Sequence, residues 1–382
     1  MFHIANYDEI IKGKVTDVYF ERTLKILKQK GINPSVKAEV VAKSFPAEWR
    51  WAVFAGLHEA LELLKNLPVK VRAIPEGSIF YPFEPVIEIE GRYQDFCIYE
   101  TALLGFLCQA TGIATKAARL RRLAQDKIII SFGARRMHPA IAPMIERAAY
   151  IGGCDGVATV IAAELTGLKP SGTMPHALIL CMGSTVDAAR AFDEVIEKDV
   201  PRIVLIDTFQ DEKFECINVA MAMGEKIFGV RFDTPSSRKG NFYQLLKECR
   251  WELDIRGFKN IKIFVSGGID EEHILQLNEV VDGYGIGTAI SNAPTIDFSL
   301  DIVEIEGRQI AKRGKLSGSK KVFRCNKCLK GEVVFYNEEL ELKECSCGGM
   351  FQEILKPVNY DEIPTVHEIR TKVLEQIRNI IL

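Results

Sequence analysis

The spacing of apolar positions changes character near residue 127. Ahead of that point, helical and alternating stretches are mixed. The segment from Thr16 starts a helix running to about residue 29. Residues 36–45 (VKAEVVAKSF) alternate as a strand does, and Glu48–Asn66 returns to a helical period with apolar Val53, Leu57, Leu61 and Leu64. Val69–Glu90, interrupted by Pro75-Glu76-Gly77 and two further prolines, reads as short strands joined by turns. Asp95–Asp126 is helical in period, with a break expected at Thr111-Gly112. These elements predict an α+β domain over residues 1–112.

From Lys127 the chain alternates between short β-rich runs and helical segments. Strands are expected at 128–132, 156–160, 171–174, 203–207, 228–232, 261–266 and 280–286. Helices are expected at 139–151, 161–165, 185–197, 213–224, 242–253 and 271–278. Such alternation predicts α/β architecture, a barrel or an open parallel sheet, over residues 113–295. Polar residues collect at the strand ends: Arg135, Arg136, His138, Asp155, Thr173, His176, Asp207, Arg231, Asp233, Ser266 and Thr288. In a barrel these converge on the C-terminal face, where active sites are built.

Within that region, IKIFVSGGIDEEHILQLNEVVDGYGIGTAIS (Ile261–Ser291) reads as strand, glycine turn, helix, strand, glycine turn. Two successive turns, Ser266-Gly267-Gly268 and Gly285-Ile286-Gly287-Thr288, leave backbone N–H groups free near helix N-termini. Exposed donors and helix dipoles favour an anion, so the pair predicts a phosphate monoester site. One such turn alone reads equally well as a tight corner.

The tail is different again. Residues 296–357 carry Cys325-x2-Cys328 and, after a hairpin-like stretch, Cys345-x-Cys347-Gly348-Gly349, while residues 358–382 end in an amphipathic helix. Four thiolates at two knuckles close a tetrahedral Zn²⁺ site with no open position, hence structural. A zinc ribbon also raises a nucleic-acid-binding module as an alternative. Charge argues against it: Lys+Arg number 49 against Asp+Glu 51, a net charge of −2, and acids follow the basic run Lys312–Arg324. The other cysteines sit singly in apolar segments, as small core residues in a reducing compartment do. Charges interrupt every long apolar run and no signal segment opens the chain, so no membrane partner and a cytoplasmic location are expected.

Individual residues leave alternatives open. The turn Phe132-Gly133-Ala134-Arg135-Arg136-Met137-His138-Pro139 offers a stacking face and a guanidinium clamp for phosphate or carboxylate, or only a salt-bridged surface turn. Lys116 and Arg119 in TKAARLRR meet a polyphosphate or solvent. His176, just beyond Ser171-Gly172-Thr173, is a catalytic or phosphate-accepting group or a structural one. Arg231 suits an anion and Asp233 ribose hydroxyls, whereas Asp207 is a base, a metal ligand or a structural partner.

The ordered set TDVYFERT, ATKAARLRRLA, SFGARRMHP, YIGGCDGVATV, SGTMPHAL, GVRFDTPS, VSGGID and DGYGIGT resembles the nicotinate phosphoribosyltransferase family across nearly the whole chain, in its archaeal form with a cysteine-rich C-terminal domain. The resemblance implies a type II phosphoribosyltransferase. Its fold would be an irregular, incomplete α/β barrel with an N-terminal α+β sandwich-like domain and a small C-terminal zinc knuckle. Such chains form homodimers with shared active sites, or higher homo-oligomers. The implied reaction joins nicotinate to 5-phosphoribosyl 1-pyrophosphate with Mg²⁺, ATP hydrolysis being coupled in many members.

By the same resemblance, Phe132 stacks the pyridine, with Tyr19 of the partner subunit on its other face. Arg135 sits by the carboxylate or the sugar phosphate, and Asp155 lies near the pyridine. Arg231 and Asp233 hold the phosphoribosyl group, and His138, Ser171 and Thr173 complete the substrate-binding set. The loops with Ser266, Gly267, Gly268, Gly285, Gly287 and Thr288 cradle the 5-phosphate. Lys116 and Arg119 face the pyrophosphate, and His176 matches the phosphorylated histidine of ATP-coupled members. The nearest alternative on the same fold is decarboxylating quinolinate phosphoribosyltransferase, whose TRKT-like and HRxGL-like basic motifs do not occur here.

Overall fold

The computed structural model describes residues 2–378 and 380–381. The chain divides into two compact units. One holds the residues up to Ala118, Ile151–Gly153 and those from Ala293 onward, and the other holds Arg119–Tyr150 and Cys154–Asn292.

The first unit is built on a six-stranded antiparallel sheet in the order Arg308–Gln309, Phe298–Ile305, Ser35–Ala42, Pro85–Arg92, Lys70–Ala73, Lys356–Pro357. Alternation in the central strand sends Val36, Ala38, Val40 and Ala42 into the core beside Phe54, Phe80, Ile87 and Ile89. Three of the six strands come from beyond residue 296, which the apolar pattern had set apart from the N-terminal domain.

The helix Glu100–Ala124 runs unbroken through Thr111-Gly112, where a break was expected. Gly112 is there for close approach: a Cβ on it would meet the Pro294 carbonyl oxygen at 2.2 Å. Thr111 bonds across to Ala55 instead of opening its own helix (Oγ1 to the Ala55 carbonyl, 3.0 Å). Among the described residues the stretch Tyr93–Ala124 is the one helix with the length and hydropathy of a membrane span. Leu103, Leu107, Ile113, Ala114 and Ala117 bury it in the protein core.

The same unit carries a three-stranded sheet, Gly331–Phe335, Lys320–Cys325 and Phe351–Glu353. Buried ion pairs seat these strands on their surroundings: Lys320 Nζ on Glu39 at 2.7 Å, and Arg324 on Glu84. The C-terminal helix Val366–Arg378 is amphipathic, with Ile369, Val373 and Ile377 buried.

The second unit is mixed α/β around a parallel sheet ordered Ile128–Ser131, Gly283–Ile286, Lys262–Val265, Gly229–Phe232, Ile203–Leu205. Beyond Ile128–Ser131 the ladder thins to single bridges, Ile130 to Gly156 and Val157 to Pro170. The strands expected at 156–160 and 171–174 are thus reduced to isolated pairings. Among the described residues nothing pairs between Pro170 and Ile203–Leu205, so the ladder stays open there. Proline and glycine in the 167–175 stretch withhold the N–H groups and rigidity that a ladder needs. A short helix, His176–Met182, forms where none was expected.

Candidate active site

All strands of the second unit run parallel, so their C-terminal ends open on one side, and the polar positions gather there. Two bonds carry the ladder one residue past the strands: Phe132 N–H to the Ile286 carbonyl and Ser266 N–H to the Phe232 carbonyl, both 2.8 Å. Side chains at these extensions have fixed places. The Phe132 ring lies over Gly285, where a Cβ would come within 2.5 Å of it; only glycine leaves room.

Arg231 projects from the strand Gly229–Phe232 and donates to Thr173 Oγ1 at 2.5 Å. Its guanidinium sits 5.6 Å from the centre of the Phe132 ring. Burial pushes the Arg231 pKa below the ordinary range, against the pull of Asp233 and Asp207, and nearby Arg135 adds to the depression. Its Nε–H has no acceptor among the described residues. This is a desolvated cation, incompletely partnered, beside a flat aromatic face.

Two acids frame it. Asp233 accepts from Ser266 Oγ at 2.6 Å, which ties the end of one strand to the next. Asp207 meets His176 Nε2 at 3.1 Å. Burial raises the Asp207 carboxyl, a shift opposed by His176 and reinforced by Asp233. Because a carboxylate only accepts, Asp207 selects the tautomer protonated at Nε2 and leaves the Nδ1 lone pair available.

The glycine turns complete the group. Gly267 and Gly268 take φ of +81° and +73°. Among the described residues the N–H groups of Gly267, Gly268, Ile269 and Gly287 reach no acceptor. Gly287 also caps the four-residue helix Thr288–Ser291.

Phe132, Arg135, Thr173, His176, Arg231, Asp233, Ser266 and the glycine turns therefore share the strand ends. Ser171 is close by, its N–H on the Val157 carbonyl at 2.6 Å. His138 is exposed and caps Pro139–Ile141, its Nδ1 accepting from Ala140 N–H at 3.2 Å. Asp155 lies by the opening residues of Ile128–Ser131, not at the strand's end. It binds the Ile129 N–H at 2.8 Å and pairs with Arg121, bonds that hold the strand in place. Arg119 stands 3.9 Å from Glu271, the first residue of the helix Glu271–Leu277. Lys116, one turn earlier on the same helix, and Tyr19, exposed on Val18–Lys30, belong to the first unit.

Sequence reasoning missed Lys239, whose Nζ donates to the Gly267 carbonyl at 2.7 Å. Its only signal was a second basic residue in the loop DTPSSRKG.

Apart from the strand ends, Cys325, Cys328, Cys345 and Cys347 bring their Sγ atoms within 4.8 Å of one another. This cluster could bind a metal such as zinc.

Comparison with known proteins gives the family. Residues 17–111 match the quinolinate phosphoribosyl transferase N-terminal domain, and residues 113–301 match its C-terminal domain. The chain belongs to this family. It is therefore a phosphoribosyltransferase, an enzyme. A nicotinate phosphoribosyltransferase of Mycobacterium tuberculosis is 30% identical over 346 residues, covering 80% of this chain and 76% of that protein. A crystal structure described as nicotinate-nucleotide pyrophosphorylase from Pyrococcus furiosus superposes with a TM-score of 0.96 at 55% identity, over 99% of this chain and 98% of that one. Human nicotinic acid phosphoribosyltransferase shares the fold, with a TM-score of 0.73 at 19% identity over 96% of this chain and 94% of that one. The nicotinate resemblance thus falls within a family named for the quinolinate enzyme.

Proposed function

We propose that this phosphoribosyltransferase acts in NAD biosynthesis, joining nicotinate to 5-phosphoribosyl 1-pyrophosphate to give nicotinate mononucleotide and pyrophosphate. The observation that carries the reading is the incompletely partnered Arg231 beside the Phe132 ring. An aromatic face next to one desolvated cation suits a flat monoanion. The 30% identical nicotinate enzyme supports the same choice.

The chemistry asks for alignment more than covalent help. The pyridine nitrogen attacks C1 of the ribose as the C1–pyrophosphate bond breaks, through an oxocarbenium-like state. Asp233 accepts from the ribose hydroxyls. The N–H groups of Gly267, Gly268 and Gly287 take the 5-phosphate, and Arg119 meets the departing pyrophosphate, which carries its own Mg²⁺. With ATP, His176 Nδ1 accepts the γ-phosphoryl group: the N–P bond forms as the bond to the ADP oxygen breaks, and Asp207 steadies the charged imidazole.

The four-cysteine cluster is a structural zinc site in this reading. A tetrahedral ion with Zn–S near 2.3 Å needs sulfurs roughly 3.8 Å apart. The separations of 3.4 Å (Cys325–Cys347) and 3.6 Å (Cys328–Cys345) fit such an ion after a small expansion.

The family match favours one second reading, the quinolinate enzyme. That substrate brings a second carboxylate, for which Arg135 is the nearby candidate cation. Product formation from phosphoribosyl pyrophosphate and Mg²⁺ with nicotinate, nicotinamide and quinolinate, each with and without ATP, separates the readings. Nicotinate turnover stimulated by ATP, with the stimulation lost in His176→Ala, is the expected result. Release of CO₂ from quinolinate would transfer the assignment, and no turnover at all would sink it.

A further inference from the structure

The loop Asp233–Gly240 carries two adjacent cations with different surroundings. Arg238 faces away from the glycine turn and reaches Glu212 at 3.6 Å; Thr234 Oγ1 donates to the same carboxyl group at 3.0 Å. Glu212 is buried, so it anchors the loop. Lys239 turns the other way. Its Nζ lies 5.2 Å from the centre of the Phe242 ring and donates to the Gly267 carbonyl.

That ammonium is partly buried and, among the described residues, has a carbonyl for a partner and no carboxylate in ion-pair range. Burial lowers its pKa, while Asp233 and Asp270 act on it from farther off and only oppose the shift. The N–H groups of Gly267, Gly268 and Ile269 in the same turn also reach no acceptor among the described residues. An under-compensated cation and three vacant donors on one turn share a single deficiency, a doubly charged oxyanion.

We propose that Lys239 is a phosphate-binding residue of the Gly267–Gly268 turn, exchanging the Gly267 carbonyl for the substrate's phosphate monoester. The proposal rests on the phosphoribosyl reading above and adds a residue to it. A lysine suits this place better than an arginine would, because a compact point charge on a flexible stem transfers between two acceptors without refitting a planar fork. Arg238 and Thr234 tie the loop to the buried Glu212.

Lys239→Gln is the decisive variant, since it keeps a donor for the Gly267 carbonyl and removes the charge. Ribose 5-phosphate and ribose are titrated calorimetrically into the full-length protein, wild type and variant, at several salt concentrations. The expected result is a loss of about 10-fold or more in ribose 5-phosphate affinity with a shallower salt dependence, ribose affinity being unchanged. In steady-state assays the KM for phosphoribosyl pyrophosphate rises and that for nicotinate does not. Lys239→Arg restores part of the affinity and covers the case in which the glutamine variant fails to fold. Unchanged ribose 5-phosphate affinity, with or without a lower Tm, would make Lys239 only a latch on the turn and overturn the proposal. A wild-type protein that ignores ribose 5-phosphate would overturn the phosphoribosyl reading itself, so the two failures are distinguishable.

Discussion

Both units bury charge, and they treat it differently. In the first unit three cations of the sheets, Arg72, Lys320 and Arg324, each have a carboxylate at hand. Arg72 meets Glu88 at 2.9 Å and adds bonds to the Lys320 and Leu355 carbonyls; Lys320 meets Glu39; Arg324 meets Glu84. At the strand ends of the second unit the cations are held but left short of charge: Arg231 by a hydroxyl and a ring, Lys239 by a carbonyl and a ring. The three ion-paired cations serve the architecture, whereas Arg231 and Lys239, left short of charge at the strand ends, are the candidates for a ligand. Burial alone does not separate the two cases.

The largest effects test that contrast directly. Arg231→Met should lower kcat/KM about 10³-fold, roughly 4 kcal/mol of transition-state stabilisation, with little change in Tm. Arg72→Met should do the reverse. It leaves Glu88 buried without its cation, at a cost of roughly 3–5 kcal/mol in denaturant unfolding, while kcat/KM per folded molecule holds. If both variants lost stability and activity alike, the contrast would collapse.

Metal removal probes the first unit again. One zinc per chain is expected by elemental analysis, and chelation should lower Tm by about 5–10 °C. A metal content near zero in protein purified with zinc present would end the structural-zinc reading. Asp207→Asn sharpens the second unit: losing the carboxylate that orients His176 should cut ATP stimulation about 10²-fold, measured as ATP hydrolysis per nucleotide formed. Stimulation at the wild-type level would detach His176 from the phosphoryl step.

The smallest effect is one of pH. Burial, with Arg324 nearby, pulls the Lys372 ammonium down to about 8, although Nζ still donates to Ser78 Oγ at 3.0 Å. An unfolded lysine titrates near 10.4. Between about pH 8 and pH 10 the unfolded chain therefore binds more protons than the folded one, and stability rises with pH. Tm of the wild type should climb across that window and that of Lys372→Met should not. Parallel curves would remove Lys372 as the cause.

Much of this was legible in the residues alone. The α/β alternation after residue 127, the paired glycine turns, the four cysteines and the strand-end positions of Arg231 and Asp233 all follow from local period and composition. The misreadings share one cause, since each depended on a neighbour far away in sequence. Gly112 looked like a helix break because nothing nearby announces that Pro294 packs against it. Residues 298–305 looked like part of a separate tail until they paired with Ser35–Ala42.

The sequence by itself determined the α/β alternation of the second unit and most of its strands, because periodicity fixes which face of an element is apolar. It also determined which chemistries are present: thiolates at knuckle spacing, glycines in the turns after two strands, and cations beside an aromatic at strand ends. Only the tertiary structure decided where the parallel ladder stops, which unit claims the C-terminal strands, and which charges are answered within the chain. Pairing and charge compensation are long-range events. A lysine such as Lys239 reads as one more surface cation until the fold sets it on the Gly267 carbonyl, among donors that have nothing to bind.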